Sequence, residues 1–371
     1  MQSLGWAVSF WDGNENQTAE TLSSASSARR VFSNKFEVEV AAEGINRVKI
    51  VFSRPLGGLN DTLCQIRKAW AFAHATGRTL ALDTRESGIM VSFTDLFEFL
   101  DDLVPILWDP SNDQISEWNS LTVTPAALQG EVAKFFGTPW PDRFSLIPDF
   151  DGAIRLPPNN VDSELVIHHQ RGGGNQSHKL LKQIRVTPEV TRWIRNELND
   201  LPRAYAAIHV RATDYSTNTQ WFLRKVKKRL SRRPVVVCSD NPQVAEDARE
   251  IFPGKQLILL PQPELVPAGS PLHEPNKYQS YSDKLLATKH LLRDVAAMSG
   301  ASEFYYTFIE QAGKFGEPRA SGLTRLVTSL VDHPEIRRSF LGLEPSVSSQ
   351  RSILVAPAWQ KILSKWKRTK R

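Results

Sequence analysis

Cysteine is scarce in this chain: 371 residues hold two, Cys64 and Cys238. Both lie inside apolar runs and neither has metal-type spacing. A disulfide framework and a small zinc fold are therefore excluded, and buried free thiols in a reducing compartment are expected. The eight histidines show no zinc pattern either. His168 and His169 are adjacent, so on a strand they face opposite ways. Long hydrophobic runs are also missing; none approaches the roughly 18 apolar residues of a membrane-spanning helix. Met1 to Trp11 lack a basic start and a small-residue cleavage site, so no secretory signal is expected. Acids are absent from Lys361 to Arg371, where six bases gather: Lys361, Lys365, Lys367, Arg368, Lys370 and Arg371. The net charge is +6, so without those six the chain is neutral. Basicity read this way is a property of the tail and argues against a nucleic-acid-binding face. The expected location is cytoplasmic, with no nucleic acid among the partners.

What is present suits a globular α/β protein. The composition is 41% apolar and 23% charged, enough for real cores, and the length suits two domains. Residues 1–45 are irregular, apart from Phe36 to Val40, which alternates like a half-exposed strand. Val48 to Phe52 reads as a strand and Pro55 to Asn60 as a loop. A helix follows with Leu63, Ile66, Trp70 and Ala73 on one face, ended by Gly77. With a strand at Thr79 to Leu82 this is a βαβ unit. Periodicity is poor from 90 to 160, where helices are expected over 94–103 and 125–136. Leu165 to Ile167 reads as a strand, followed by Arg171 to Asn175, and a helix spans 186–198. Strands at 204–210, 234–238, 256–260 and 304–307 then alternate with helices near 220–230, 242–252, 283–298 and 321–331. That alternation predicts a parallel sheet covered on both faces. The expected fold class is α/β, with two Rossmann-like domains facing across a cleft. Residues 46–185 form the first and 186–340 the second; 341–371 is a linker, centred on 344–357, and a tail.

The residues with chemistry fall at strand ends. His209-Val210-Arg211-Ala212-Thr213-Asp214 follows the apolar run from Ala204 to Ile208. A His, an Arg and an Asp are thus delivered together at a strand's carboxyl end, where open α/β sheets bind ligands. Arg suits a phosphate; Asp and His suit hydroxyls or proton handling. Gly57-Gly58 lets backbone N–H groups approach a ligand, and a helix starts near Asn60; a plain tight turn fits equally well. Asp240, in Ser239-Asp240-Asn241, suits a sugar hydroxyl or the cap of the next helix. Asp294 reads by itself as a solvated helix charge. Ser321 opens a helix, as an N-cap or as part of a phosphate site.

Taken in order, several segments resemble one family. They are Gly57-Gly58-Leu59-Asn60-Asp61, Ala75 to Arg85, the His-x-Arg-x-Thr-Asp element at 209–214, Ser239-Asp240-Asn241 and Ser321 to Arg325. Over residues 48–331 the set resembles the NodZ-like and α1,6-fucosyltransferase group, and more distantly the α1,2- and protein O-fucosyltransferases. The resemblance implies a GT-B fold and GDP-fucose as donor substrate, held by the second domain, with the acceptor on the first. It implies inverting transfer with no metal and no cofactor. Arg211 would bind the β-phosphate, His209 would sit beside the nucleotide, Asp294 would read the guanine edge and Ser321 would lie near the diphosphate. Gly57, Gly58 and Asn60 would face the donor across the cleft.

The chain departs from that pattern at Ala212, where relatives often carry a second Arg, at Tyr215 in place of Lys, and at Thr219 in place of a proposed catalytic Glu. Residues between Thr307 and Ser321 resemble an insertion. Asp214 is then the leading candidate for the base and Glu274 the second, and the acceptor is a different glycan or a lipid-linked one. Trp359, Ile362, Leu363 and Trp366 share one helical face opposite the basic residues of the tail. Such a helix lies on an anionic membrane surface, each base contributing about 1 kcal/mol. This makes residues 359–371 a peripheral anchor on the inner membrane face; a disordered tail and a helix packed on the protein remain the alternatives.

Overall fold

Strands buried on both faces must be apolar nearly throughout, and β-branched residues suit them. Ile50-Val51-Phe52 and Val235-Val236-Val237 are of this kind. In the computed structural model such runs build two parallel sheets. The first runs β4 (Ile106–Trp108), β2 (Thr79–Leu82), β1 (Ile50–Ser53), β6 (Leu165–His168), β5 (Val123–Thr124). The second runs β10 (Leu257–Leu259), β9 (Val235–Ser239), β8 (Ala206–Val210), β11 (Glu303–Tyr306), β12 (Arg351–Leu354). A small antiparallel pair joins β3 (Phe97–Phe99) to β7 (Ile184–Val186). The structure describes residues 48–139, 142–147, 152–174, 176–212, 218–230, 233–239, 241–252, 257–262, 278–307, 320–343 and 351–354. The expected strand at 36–40, Asp214, Asp240, Glu274 and the tail helix lie outside the described residues.

Alternation along each strand separates two cores. In the first sheet Phe52, Ala81, Leu165 and Ile167 pack with Ile115 of α2 (Asn112–Glu117) and with Val132, Phe135 and Phe136 of α3 (Val132–Gly137). In the second, Ala206, Ile208 and Val210 pack with α6 (Thr219–Lys227) and α7 (Pro242–Ile251). The other faces share a single apolar cluster. It joins Val51, Leu80 and Val166 of the first sheet to Ala207, Val236 and Phe304 of the second. Between them lie α1 (Leu59–Thr76), α4 (Ser177–Leu181), α5 (Pro188–Glu197), α8 (Tyr281–Gly300), α9 (Gly322–Asp332) and α10 (Pro334–Leu341). Residues 47–371 form one unit.

Three local expectations are corrected. Over 94–103 the aromatics take a strand, β3, because Phe97 stacks on Phe340 and Phe93 stacks on Trp108. Over 125–136 a short turn at Ala126–Leu128 precedes α3 instead of one helix. Residues 351–354, expected within a linker, pair with β11 as the edge strand of the second sheet. Among the described residues no helix is long and apolar enough to cross a membrane.

Candidate active site

The second sheet reverses its strand order at β8, which lies between β9 and β11. Connections leave such a point in opposite directions, and the opening at the strand ends is where this architecture takes ligands. His209 is the penultimate residue of β8, level with Cys238 on β9 and Tyr306 on β11. It is buried, and its Nδ1 lies 2.9 Å from Thr324 Oγ1. Thr324 Oγ1 lies 2.9 Å from Ser321 Oγ, which also accepts the Thr324 N–H at 3.1 Å. An imidazole and two hydroxyls thus tie the first turn of α9 to the end of β8. Ser321 is the N-cap of α9 and a member of this chain at once. Arg211 follows Val210, half-buried. The segment is braced from β9: Ser239 Oγ donates to Val210 O at 2.8 Å, and Asn241 Nδ2 to Ala212 O at 3.0 Å. Asn241 also caps α7, accepting the Gln243 N–H.

The first sheet reverses at β1, between β2 and β6. Gly57 lies just beyond β1 with φ +91, a conformation that favours glycine. Its carbonyl accepts the Gly88 N–H at 2.7 Å. A methyl on Gly88 would stand 2.6 Å from that oxygen, so the two loops meet where only glycine fits. Gly58, the N-cap of α1, faces open space. Asn60 is buried and its amide joins three segments: Nδ2 donates to Gly174 O at 3.1 Å, and Oδ1 accepts from Ser177 Oγ at 2.7 Å. A methyl on Gly322 would meet Asn60 Cβ at 3.4 Å. The N-termini of α1 and α9 are therefore in contact. Gly57, Gly58, Asn60, His209 and Ser321 gather where the two sheets' strand ends converge.

Asp294 lies deeper. It is buried in α8, its Oδ1 accepts two hydrogen bonds from Arg293, at 3.0 and 2.8 Å, and its Oδ2 accepts one from Gln262 at 2.9 Å. Burial raises its pKa, opposed by the Arg293 charge and these bonds. Burial also pushes the Cys238 thiol well up, and the Asp294 charge adds to this. Both cysteines are buried free thiols.

Sequence reading missed a charged cluster at the ends of β1 and β2. Asp83 Oδ2 accepts from Arg54 Nη2 at 2.7 Å, and its Oδ1 from Arg85 Nε at 2.8 Å. Glu86 bridges Arg143, at 2.7 and 2.9 Å, to Arg54 at 3.2 Å. Burial alone would raise Asp83, but the Arg85 hydrogen bond and the charges of Arg54 and Arg85 outweigh it and hold the carboxyl below its usual range. The signal was the run Asp83-Thr84-Arg85-Glu86 at a strand end. Arg325 was missed too. Its Nη1 lies 3.9 Å from where a methyl on Gly174 would stand, and it has no ion pair among the described residues. Among those residues no three His, Cys, Asp or Glu side chains converge as a metal site. The sequence does hold one Asp-x-Asp element, Asp149-Phe150-Asp151, outside the described residues.

No known sequence family matches the chain, and no curated protein matches it. Solved structures do. NodZ α-1,6-fucosyltransferase soaked with GDP-fucose superposes with a TM-score of 0.52 at 20% identity, covering 76% of this chain and 93% of that one. Fucosyltransferase NodZ from Bradyrhizobium gives 0.50 at 18% identity, covering 76% and 92%. POFUT1 in complex with GDP-fucose covers 84% and 99%, with a TM-score of 0.43 and 13% identity. At these identities the likeness concerns the fold, and in fold this chain is similar to the NodZ fucosyltransferase.

Proposed function

We propose that this protein is an inverting glycosyltransferase that moves fucose from GDP-fucose to a glycan or glycoconjugate acceptor. The carrying observation is the His209–Thr324–Ser321 chain, which ties the N-terminus of α9 to the end of β8 at the reversal point of the second sheet, two residues before Arg211. Fucose leaves as GDP, so negative charge grows on the β-phosphate. In this reading the Arg211 guanidinium and the partial positive charge of α9 stabilise that charge selectively in the transition state. In this reading residues 186–340 are the donor domain and 46–185 the acceptor domain of a GT-B enzyme. Arg211, His209, Asp240, Asp294 and Ser321 contact the donor, with Gly57, Gly58 and Asn60 across from them. The fold neighbour soaked with GDP-fucose supports the donor class.

Metal independence is part of the proposal and rests on Arg211 and the α9 terminus supplying the charge. Asp149-Phe150-Asp151 is the feature on which a metal-using reading would call. The tail reading adds residues 359–371 as a peripheral anchor on the cytoplasmic membrane face, which favours a lipid-linked acceptor.

Calorimetry with GDP tests the donor site. Arg211→Ala is expected to weaken binding by about 1.5–3 kcal/mol, the worth of a charged hydrogen bond. Release of GDP from GDP-fucose, unchanged by EDTA, then tests turnover and metal independence. Absence of GDP binding overturns the proposal. Binding without turnover supports a second reading, favoured by Tyr215 and Thr219: an inactive nucleotide-binding relative serving as a membrane scaffold.

A further inference from the structure

Lys134, Arg185 and Arg249 are exposed bases, and each is paired with an acid: Glu131, Glu98 and Glu246. The end of α6 is built otherwise. From Arg224 to Arg229 every outward residue is a base: Arg224, Lys225, Lys227, Lys228 and Arg229 are exposed, while Val226 is buried with Phe222 and Leu223. Among the described residues none of the five has an acidic partner. Arg224 donates to Gln220 Oε1 at 3.3 Å, and Lys225 Nζ lies 5.8 Å from the centre of the Trp221 ring. Arg224 stands three and four residues before Lys227 and Lys228, and Lys225 three before Lys228, spacings at which like charges repel. The negative end of a helix dipole favours bases, but it does not remove their mutual repulsion. An opposing anionic surface does. Over 224–233 the sequence holds seven bases and no acid. The net charge is +6, the tail carries six bases and this segment seven, so everything else sums to −7. A molecule so polarised turns its basic side toward negative charge.

We infer that the outward face of α6, formed by Arg224, Lys225, Lys227, Lys228 and Arg229, docks on the anionic headgroups of a lipid bilayer. Clustered bases on one helix face suit such a surface. The face offers no apolar anchor of the kind that dominates protein interfaces, since Phe222, Leu223 and Val226 point inward. It offers no free aromatic platform for nucleic-acid bases either, because Trp221 is half-buried with Lys225 over its ring. A bilayer requires neither. α6 runs back from the carboxyl end of β8 toward the start of the parallel strand β9, so its last turn lies at the far end of the sheet from His209. Docking there leaves the strand ends around His209 open to a soluble ligand. The inference stands apart from the transfer chemistry and from the reading of residues 359–371.

Vesicle co-sedimentation of the full chain tests it, with phosphatidylcholine alone and with phosphatidylcholine mixed with phosphatidylglycerol. The wild type is expected to bind only the mixed vesicles and to release them as salt rises. Each base near an anionic surface is worth about fivefold in affinity. The triple variant Arg224→Gln, Lys225→Gln, Lys228→Gln should therefore bind roughly 100-fold more weakly. Its melting temperature should hold or rise, because the repulsion is gone. A control variant, Lys134→Gln, Lys182→Gln, Arg185→Gln, removes the same charge elsewhere and should bind like the wild type. Unchanged binding in the α6 variant, or an equal loss in the control, overturns the inference. So does equal binding to both kinds of vesicle. A full chain that ignores the mixed vesicles but holds a mixed-sequence RNA oligonucleotide through the three α6 residues would make the occupant nucleic acid, and the bilayer assignment would fall.

Discussion

His168 shows how one residue ties the site's foundation to pH. Its Nδ1 lies 2.9 Å from Ser53 Oγ and its Nε2 3.1 Å from Gln65 Oε1, inside the core beneath the glycine turn. Burial, then the charges of Lys68 and His169, lower its pKa to about 3. Burial likewise takes His169 to about 3, against the pull of the Arg54 backbone. Unfolded imidazoles titrate near 6.5. Between those values the unfolded chain binds protons that the native protein refuses, so stability is full above pH 6.5 and falls as pH drops toward 3. Each histidine contributes at most about 1.4 kcal/mol per pH unit across that window. Urea midpoints should therefore decline from pH 7 to pH 5. His168→Gln should decline less steeply, and equal slopes would refute the assignment. Adjacent His168 and His169 were legible as facing opposite sides of a strand. Their place at a strand end was legible too, but the partners Ser53 and Gln65 were not, because they lie more than a hundred residues away in sequence.

Elements with strong periodicity were legible from the chain alone. The unit β1–α1–β2 and the alternation from β8 to α9 were expected within a few residues of where they lie. Arg351-Ser352-Ile353-Leu354 was not, since two apolar residues in four carry no period and β11, its partner, is 45 residues earlier. That strand makes the two halves of the C-terminal region separable by truncation. Stopping after Leu343 strips β12 and turns β11 into an edge with unpaired backbone. A lower melting temperature and aggregation are expected. Stopping after Ala358 keeps β12, so the melting temperature should hold while binding to anionic liposomes drops. Equal liposome binding with and without 359–371 would remove the anchor reading. Neutrality outside the tail also hid a local feature. Arg224, Lys225, Lys227, Lys228 and Arg229 are all exposed on and just after α6, so the basic charge is not confined to the tail as the sum suggested. Any salt-sensitive binding left after truncation belongs to this face.

At the scale of the whole molecule, two α/β halves were expected and two parallel sheets are present, but their coupling was invisible in the sequence. An amphipathic helix pattern gives the period of the buried face and does not say which sheet covers it. α1 and α9 bury apolar residues in the cluster that reaches both sheets. α10 comes after the second half's strands β8–β11, yet Phe340 stacks on Phe97, 5.8 Å between centroids, and Leu341 O accepts from Thr191 Oγ1 at 3.2 Å. The site inherits this coupling, because Gly322 rests on Asn60 only while the shared layer is packed. Two independently stable domains would unfold in two steps; one shared core predicts one. Calorimetry should give a single transition whose calorimetric and van't Hoff enthalpies agree. Leu326→Ala, in the fully buried part of α9, should cost about 2–5 kcal/mol. Hydrogen exchange should then quicken together in β1, β6, β8 and β9. Quickening confined to β8 and β9 would mean that the halves fold separately and that the contact between α1 and α9 forms only after both are complete.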